Sequence, residues 1–374
     1  QQFSLISFIA NSVAIPWLGF FILPFCFLSV MFLFIFPSIS QLCLCLADKS
    51  LTMLWSVLTW FSNLDFAVWH QAMPNAWLYF LILFSVILWL LPTGFPGRFF
   101  GLFTMLPLIF YQPNKPHWGE MWLTLLDVGQ GLSVVVQTKN HILVYDAGSK
   151  WGESFDMGAS VVVPYLHTLG VKKINKLIIS HGDNDHIGGA DAVLNEFKVK
   201  SIMTSVPALL PSTVTRFCTQ GDAWEWDGVK FEFLSPSKEN LALKLNNDNS
   251  CVLQIDNHQS KILLTGDIEK KAEISLLEKF SAQLKSDVLV APHHGSKTSG
   301  LKTFLDAVHP KYVLYGVGYR NRYHFPHSSV VAAYRELGAV QWGTAEMGAI
   351  EVKFKGNGFE VASYRSRNKH YWND

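Results

Sequence analysis

The sequence predicts an α/β domain that follows a helical membrane segment. The first 110 residues contain only four charged side chains, Asp48, Lys49, Asp65 and Arg98, whereas the remainder has an ordinary balance of acids and bases. Beyond residue 120, short apolar runs alternate with helical segments, which is the pattern of layered α/β folds. The net charge of +1 creates no global field for nucleic acid, so any such contact must come from a local patch.

The membrane segment contains several apolar runs. Residues 12–36 are long enough to cross a bilayer, which takes about 20 residues. We interpret residues 38–69, which are less apolar and rich in Trp, as an interfacial amphipathic helix rather than a span. Residues 77–91 and 99–111 predict a tight hairpin of two short helices. Arg98, in the turn of this hairpin, favours a cytoplasmic turn and hence a periplasmic soluble domain.

A linker separates the membrane segment from the soluble domain. Pro113 and Pro116 stand in a polar stretch that breaks any helix. We therefore divide the chain into a membrane part at 1–112, a linker at 113–118 and a soluble domain at 119–374. The stretch 121–131 is expected to form a strand and then a turn, with further strands at 132–137 and 142–145 and a closing strand at 348–354.

The loop after the apolar strand at 177–179 contains four potential metal ligands: His181, Asp183, Asp185 and His186. Carboxylates and imidazoles crowded into a folded core need partners, and a cation can supply them. Ligands in α/β folds also lie at the carboxyl ends of strands. The structural alternative is a polar loop that caps the next helix, with Asp185 as N-cap. Because loops seldom place His, Asp, Asp and His so closely, the stretch predicts a metal site.

The run Ser180–His186 resembles the His-x-His-x-Asp-His signature of the metallo-β-lactamase superfamily, with Asp183 where the second His usually stands. Together with the phrases at 127–131 and 146–148 and the preceding membrane segments, it resembles the C-terminal part of the ComEC family. Members of that family are inner-membrane channels that take up DNA during natural competence. The resemblance implies an αββα metallo-β-lactamase-like sandwich and a multi-pass protein of the bacterial inner membrane. It also implies DNA, membrane lipid and other competence proteins as partners.

The resemblance extends to three further positions of the site. Asp146, after the strand at 142–145, would fix the metal loop by hydrogen bonds without being a ligand. Asp267 would bridge two metal ions rather than merely cap a helix. The third ligand His of many superfamily members is missing, and an Asn-x-x-Ser phrase stands there instead. An oxygen of Asp248, Asn249 or Ser250, or a water molecule, would take its place.

Two adjacent histidines, His293 and His294, end the apolar strand at 287–291, and neighbouring side chains of a strand cannot share one face. We take His293 as the metal ligand, with His294 orienting a phosphate or shuttling protons; the opposite assignment is open. Downstream, Phe325 replaces a His of the family pattern, and His324 could partly substitute for it. His327 is kept, as a ligand or a phosphate contact.

The resemblance and the residue types together predict a two-metal hydrolase. The predicted ligands are His181, Asp183, Asp185, His186, Asp267 and His293. Because this set is rich in oxygen, Mn²⁺ or Mg²⁺ is favoured over Zn²⁺. Two ions about 3.5–4 Å apart would clamp a phosphodiester and activate water. Asp185 would also orient the attacking water, and His294 or His327 would protonate the leaving oxygen. We expect a nuclease that degrades one DNA strand while the membrane helices pass the other.

Two other functions fit the residues. One is hydrolysis of a small ester such as a lactone, which the membrane helices and Asp183 disfavour. The other is a catalytically inactive metallo-β-lactamase-like module that guides DNA to the channel, which Phe325 and the missing third His allow. A disulfide between Cys218 and Cys251 is conceivable if the domain is periplasmic.

Overall fold

A computed structural model describes residues 2–64, 66–70, 72, 76–210, 214–243, 246–356 and 358–368. The chain divides into two compact units, Gln1–Gln112 and Pro113–Asp374. The boundary between them lies at the start of the stretch that contains Pro113 and Pro116.

The first unit contains two long helices, α1 (Ser7–Phe32) and α2 (Pro37–Ser62), which pack as an antiparallel hairpin. Ser29 near the turn contacts Ser40 through their hydroxyls (2.9 Å), and Trp17 farther away donates to Ser50 Oγ (3.0 Å). Within α1, a π-helical segment at Leu18–Ile22 lies between Pro16 and Pro24, whose missing N–H groups interrupt the regular ladder. Both helices are long and apolar enough to cross a membrane, by length and composition.

The helix expected over 38–69 is α2, which ends at Ser62 and is long and apolar enough to span a membrane; its interfacial placement stays a prediction. Asp48 and Lys49 of this helix are exposed, whereas four of its hydroxyl groups are satisfied within the hairpin. Thr52 and Ser56 donate to carbonyls one turn earlier in α2. Ser40 and Ser50 pair with α1. Hydroxyls that are satisfied in this way can lie in a bilayer.

A second helical hairpin follows, as the sequence predicts. It contains α3 (Ala76–Leu90), a 3₁₀ turn at Pro96–Phe99, and α4 (Phe100–Phe110). The hydroxyls of Ser85 and Thr104 meet at 2.5 Å between the two helices. A two-stranded pairing of Gln2–Ser4 with Val68–His70 also lies in the first unit.

The second unit contains two large mixed sheets. The first has the order β6-β5-β4-β3-β2-β1-β14-β15 and the second β7-β8-β9-β10-β11-β12-β13. The strands are β1 (Met121–Leu125), β2 (Val134–Gln137), β3 (Ile142–Tyr145), β4 (Lys176–Ile179), β5 (Ile202–Thr204), β6 (Thr215–Phe217), β7 (Ala223–Trp226), β8 (Val229–Ser235), β9 (Val252–Asp256), β10 (Lys261–Leu264), β11 (Val288–Val290), β12 (Tyr312–Tyr315), β13 (Val340–Gly343), β14 (Ile350–Lys355) and β15 (Gly358–Ser363). Short strand pairs lie outside the two sheets, at Lys150–Trp151 with Phe155–Asp156 and at Lys173–Ile174 with Lys198–Val199.

The second unit also contains helices, several of which pack on the sheets. Its described helices are α5 (Val163–Thr168), α6 (Asn184–Ile187), α7 (Ala190–Glu196), α8 (Lys238–Leu243), α9 (Lys270–Phe280), α10 (Lys302–Val308), α11 (Ser328–Glu336), α12 (Thr344–Met347) and α13 (Tyr364–Arg367). A π-helical turn at Gly158–Val162 leads into α5, and 3₁₀ turns lie at Pro207–Leu209, Asn246–Asn249 and Pro292–Gly295.

Three apolar cores show the order of the layers. The central core joins alternate residues of both sheets, such as Leu123 and Tyr145 of the first with Phe231 and Leu264 of the second. A second core packs α9, α10 and α11 on the other face of the second sheet. A third packs α5 and α7 on the other face of the first sheet. Each strand contributes side chains to both of its faces, so the expected αββα sandwich is confirmed.

The strand expected at 348–354 does not close the domain, because β15 pairs with it at the edge of the first sheet. The side chains of β15 are mostly half-exposed, so this strand lacks the apolar run by which the central strands are recognised.

The topology brings several loops to one edge of the sandwich. β3 and β4 run parallel in the first sheet, and β10, β11 and β12 run parallel in the second. The loops that leave the carboxyl ends of β3, β4, β10 and β11 carry Asp146, the 181–186 stretch, Asp267 and the His293–His294 pair. Parallel strands end at the same edge, and this edge therefore gathers the site.

Candidate metal centre

Four side chains converge at this edge: Asp185, His186, Asp267 and His294. One ligand atom of each lies within 4.8 Å of the others. His186 Nε2 lies 3.1 Å from Asp267 Oδ1 and 3.2 Å from His294 Nε2. His294 Nε2 lies 3.3 Å from Asp185 Oδ2 and 3.4 Å from Asp267 Oδ2. Three of the four residues are buried and Asp185 is half-exposed, so the cluster opens to solvent on the side of Asp185.

The hydrogen bonds of the two rings show that the cluster suits a cation. His186 Nδ1 lies 2.7 Å from Asp146 Oδ2, and His294 Nδ1 lies 2.8 Å from the Gly316 carbonyl. Each Nδ1 must donate its proton to an acceptor oxygen, so a neutral ring presents the lone pair of Nε2 to the cluster. Two lone pairs and two carboxylates then face one point, an arrangement that needs a proton or a metal ion between them. The residues present therefore fit a divalent ion.

The electrostatics of the cluster agree with this requirement. Burial alone would lower the pKa of His186, but the carboxylates of Asp267 and Asp146 outweigh burial and raise it well above its ordinary value. Burial also lowers the pKa of His294, yet Asp267 and Asp185 raise it to about 9. Burial raises the pKa of Asp267, but the charges of His186 and His294 hold it well below its usual range. Protons on the two rings thus supply the positive charge that the carboxylates demand.

Asp146 organises the cluster from behind. This fully buried carboxylate accepts from Ser180 N and Ser180 Oγ, both at 2.7 Å, and holds His186 through Nδ1. Its backbone φ is +59°, a left-handed conformation that Asp tolerates better than most residues. One carboxylate therefore fixes both the start of the metal loop and the orientation of a ring in the cluster.

His181 and Asp183 form a more open pair beside the four-residue cluster. The His181 ring lies 4.2 Å from the His186 ring, and its Nε2 lies 3.5 Å from Asp183 Oδ2. His181 is almost fully buried, and its Nε2 has no hydrogen-bond partner in the described part of the chain. The Asp183 side chain is 58% exposed, and the nearby His181 ring lowers its pKa. A buried nitrogen without a partner next to an open carboxylate is suited to a second ion.

The structure places His294, not His293, in the cluster. His293 Nε2 lies 3.8 Å from Asp267 Oδ2, and its Nδ1 faces Glu269 Oε1 (3.3 Å) and Thr298 Oγ1 (3.1 Å). Both histidines have left-handed backbones, with φ of +46° and +55°. This bend turns the second ring inward, which strand alternation cannot reveal. The geometry therefore favours the opposite of the assignment preferred from the sequence.

His327 lies outside the cluster and caps α11. Its Nδ1 accepts from Ser329 N (3.3 Å) and lies 2.8 Å from Ser329 Oγ. The ring of Phe325, rather than that of His324, packs near the histidine pair, with centroid distances of 5.8 Å to His293 and 6.4 Å to His294. The expected replacement of the missing His by His324 is therefore not what the structure shows, since His324 is exposed.

The three residues that replace the missing third His, Asp248, Asn249 and Ser250, have different contacts. Asp248 Oδ1 accepts from Glu269 N and Ala272 N at the start of α9. Ser250 Oγ accepts from Asp267 N and so anchors the turn that carries this carboxylate. Asn249 Oδ1 is buried and makes no hydrogen bond to any described residue. Of the three residues considered from the sequence, Asn249 is therefore the one whose side-chain oxygen is not used in a hydrogen bond to the described residues.

Sequence reasoning missed Ser180 as a functional residue. Its hydroxyl donates to Asp146 Oδ2 and lies 3.0 Å from His181 Nδ1, so it joins the carboxylate to the ring of the second pair. Ser180 could have been identified from the sequence, because it stands immediately before His181, the first His of the motif.

Comparison with known proteins matches both parts of the chain. A model of the metallo-beta-lactamase superfamily matches residues 126–318, and a competence protein model matches residues 1–96. Competence protein ComA of Neisseria gonorrhoeae is 33% identical over 98% of this chain and 50% of its own length. ComE operon protein 3 of Bacillus subtilis is 29% identical over 95% of this chain and 49% of its own length. The chain spans about half the length of these relatives.

Among solved structures, that of Igni18, a metallo hydrolase from Ignicoccus hospitalis, aligns with a TM-score of 0.42 and 14% identity, over 63% of this chain and 100% of that one. The match to the metallo-beta-lactamase model agrees with the αββα sandwich and with the ligand cluster described above. The chain belongs to the metallo-beta-lactamase superfamily, and its residues 1–96 are similar to the competence protein family.

Proposed function

We propose that the chain is a metal-dependent phosphodiesterase that cleaves DNA as part of a competence DNA-uptake protein. The observation that carries the proposal is the convergence of two imidazole lone pairs and two carboxylates on one point, with both rings fixed by hydrogen bonds at Nδ1. The competence domain supports DNA as the substrate.

The described residues suggest how two divalent ions would be held. Asp185, His186, Asp267 and His294 would hold one ion, and His181 with Asp183 would hold the other. We expect Mn²⁺ or Mg²⁺. Of the two, Mn²⁺ is favoured, because Mg²⁺ takes mainly oxygen ligands and the ligand set includes histidine nitrogens. When bound, such ions stabilise the developing charge of a phosphodiester and activate water.

The protein residues divide the remaining work. Asp185 is the half-exposed carboxylate of the cluster and would orient the attacking water. His294 has Nδ1 on a carbonyl and Nε2 in the cluster, which leaves it no nitrogen for a leaving group. His327 is the better acid, because Nδ1 accepts from Ser329 N and a neutral ring then carries its proton on Nε2. This leaves proton donation to His327.

We also propose that the second unit faces the periplasm and that the first unit lies in the inner membrane. Cys218 and Cys251 form a disulfide, a bond that persists in oxidising compartments. The helices α1 and α2 are apolar and long enough to span. Membrane lipid and other competence proteins would then be partners.

Cleavage by the full chain in detergent micelles tests this function. Single- and double-stranded DNA would be incubated with Mn²⁺, Mg²⁺ or Zn²⁺, using the wild type and the variants Asp267→Ala and Asp183→Ala. The exposed Asp306→Ala is the matched control. We expect metal-dependent cleavage that both site variants lose and the control keeps.

Other outcomes would identify the alternatives. DNA that stays intact under every metal, with binding retained, would mean that the module only guides DNA. Cleavage of lactones without cleavage of DNA would mean a small-ester hydrolase.

A further inference from the structure

The loop between β12 and α11 places aromatic and cationic side chains beside the metal centre. We call its members the aromatic–arginine loop: Tyr319, Arg320, Arg322, Tyr323 and Phe325. Tyr319 is 72% exposed and Tyr323 is 48% exposed, and both arginines are exposed. Large aromatic side chains grouped at the surface of a soluble domain indicate a binding site.

The rings form a ladder that leads outward from the cluster. The Phe325 ring lies 6.4 Å from the His294 ring with an interplanar angle of 19°. The Tyr323 ring lies 5.5 Å from the Phe325 ring at an angle of 18°. Three nearly parallel rings thus run from a metal-ligand candidate to the surface. A nucleobase is a flat partner that can continue such a stack, on the Tyr323 ring or on the Arg322 guanidinium that lies over it.

The arginines supply the charge that a phosphate needs. The Arg322 guanidinium lies 4.8 Å from the centre of the Tyr323 ring and donates to Tyr323 Oη at 2.6 Å. Arg320 lies 5.2 Å from the centre of the Tyr319 ring. Neither arginine forms an ion pair with a carboxylate of any described residue. Guanidinium planes stack on bases and bind phosphate oxygens in bidentate fashion, so both remain available to a nucleotide.

Asn321 holds the loop in shape. Its Oδ1 accepts from Phe325 N (2.9 Å), and its Nδ2 donates to Phe325 O (2.8 Å) and to Gly318 O (3.2 Å). Because the loop is closed by these bonds, little conformational entropy remains to be lost when a ligand binds.

The ladder distinguishes between substrate classes. A lactone has neither a flat base nor a row of phosphates. A duplex keeps its bases stacked inside and must unstack one before a ring can take it. We propose that the aromatic–arginine loop binds the nucleotide next to the scissile phosphate and makes the centre select single-stranded over double-stranded nucleic acid. The inference rests on the proposed phosphodiesterase function, because substrate selection requires a centre that cleaves. Binding of nucleic acid to the loop can be measured without cleavage.

The test compares three substrates with the full chain in detergent micelles. They are a labelled 20-mer of thymidylate, its duplex with oligoadenylate, and methyl p-nitrophenyl phosphate, a phosphodiester without a base. Tyr323→Ala should raise the KM for the single strand about tenfold, because one stacking contact is lost. Its effect on methyl p-nitrophenyl phosphate should be smaller, so the preference for the oligonucleotide falls. Tyr323→Trp should restore that preference, since it keeps a flat ring.

The arginines are tested by salt dependence. Anisotropy of the labelled 20-mer in EDTA reports binding alone. Arg320→Gln combined with Arg322→Gln should reduce the slope of log K against log salt by about 1.4, which corresponds to two phosphate contacts on a single strand. Tyr364→Ala and Arg335→Gln are matched controls, because both side chains are exposed and lie outside the loop.

Two results would overturn the inference: an unchanged single-strand KM and salt slope in the loop variants, or equal losses on all three substrates. Failure of the proposed function would give a different experimental result. The wild type would then cleave no phosphodiester with any metal, while anisotropy would still decide whether the loop binds a single strand.

Discussion

Asp146 combines two features that are each costly. It is a carboxylate with no exposed surface, and its backbone is left-handed. Burial of an ion and positive φ at a non-glycine residue each cost free energy, on the order of 1 kcal/mol or more. Three short hydrogen bonds to Ser180 and His186 offset this cost. Such a residue indicates that the orientation of the ring matters more than local stability.

Substitution of Asp146 tests that interpretation. Asp146→Asn keeps the shape and tolerates the left-handed backbone, but it removes the charge that holds His186. We expect metal affinity to fall by a factor of about 10–100, the usual effect of losing a group that orients a ligand. Titration calorimetry with Mn²⁺ measures this, and Asp306→Asn is the control. Unchanged affinity would show that His186 is oriented by other contacts.

At the scale of elements, the metal loop depends on a close approach of two backbones. A Cβ at Gly158, where the π-helical turn begins, would overlap the carbonyl oxygen of Gly189 after the metal loop. A Cβ at Gly189 would in turn overlap the carbonyl oxygen of Ala147. Backbone atoms cannot move aside as a side chain does, so only glycine fits at both positions.

Gly158→Ala should therefore displace the metal loop. We expect a loss of about 3 kcal/mol in the free energy of unfolding, since the clash is with backbone. Gly356→Ala is the matched control, because a Cβ there meets no atom within 4 Å. Thermal denaturation with and without Mn²⁺ measures both the stability and the metal response. Equal melting temperatures for the two variants would contradict the packing argument.

Glu273 joins α9 to the start of α10. Its carboxylate accepts from Gly300 N (2.6 Å) and Leu301 N (2.8 Å) and is fully buried. Burial raises its pKa to about 7, against an ordinary value of 4.5; these two N–H donors oppose the shift, and Asp248 adds to it. The folded state thus binds the proton more tightly than the unfolded state does.

This shift predicts a pH dependence of stability. The contribution of Glu273 is fully present below pH 4.5 and is lost as the pH rises through 7. The loss should be on the order of 3 kcal/mol, and Glu273→Gln should lack it. Denaturant unfolding of both proteins between pH 5 and 8 checks the sign. Parallel stability curves for the two proteins would be evidence against the raised pKa.

At the scale of the whole molecule, the disulfide ties the two sheets together. Cys218 follows β6 of the first sheet and Cys251 precedes β9 of the second, with a sequence separation of 33 and Cα atoms 5.8 Å apart. Both cysteines are buried in the central core. The bond therefore crosses the layer between the sheets at the side that also carries Ser250.

Removal of the disulfide should weaken the sandwich. We expect Cys218→Ser combined with Cys251→Ser to lower the free energy of unfolding by about 3–4 kcal/mol, the range for a loop of this length. Labelling of the denatured wild type with a maleimide should modify only the remaining cysteines, Cys26, Cys43 and Cys45. Modification of Cys218 and Cys251 as well in protein from the membrane would remove the support for periplasmic placement.

Much of the second unit could be predicted from the sequence because its signals are local. Apolar runs placed β3 and β10, and the crowding of acids and imidazoles after β4 indicated a metal site. In the first unit the helix predicted over 38–69 is too long, since α2 ends at Ser62.

The sequence by itself predicted an apolar part followed by an α/β part and a metal site at residues 181–186. These predictions depend on composition and on strand ends, which neighbouring residues encode, whereas the bridging role of Asp267 came from the family resemblance. The tertiary structure decided that His294 lies in the cluster, that the side-chain oxygen of Asn249 makes no hydrogen bond to any described residue, and that Phe325 stacks toward the surface. Each of these depends on loop dihedral angles and on partners from distant segments, such as Gly316 and Glu269. Contacts of that kind exist only once the two sheets have packed.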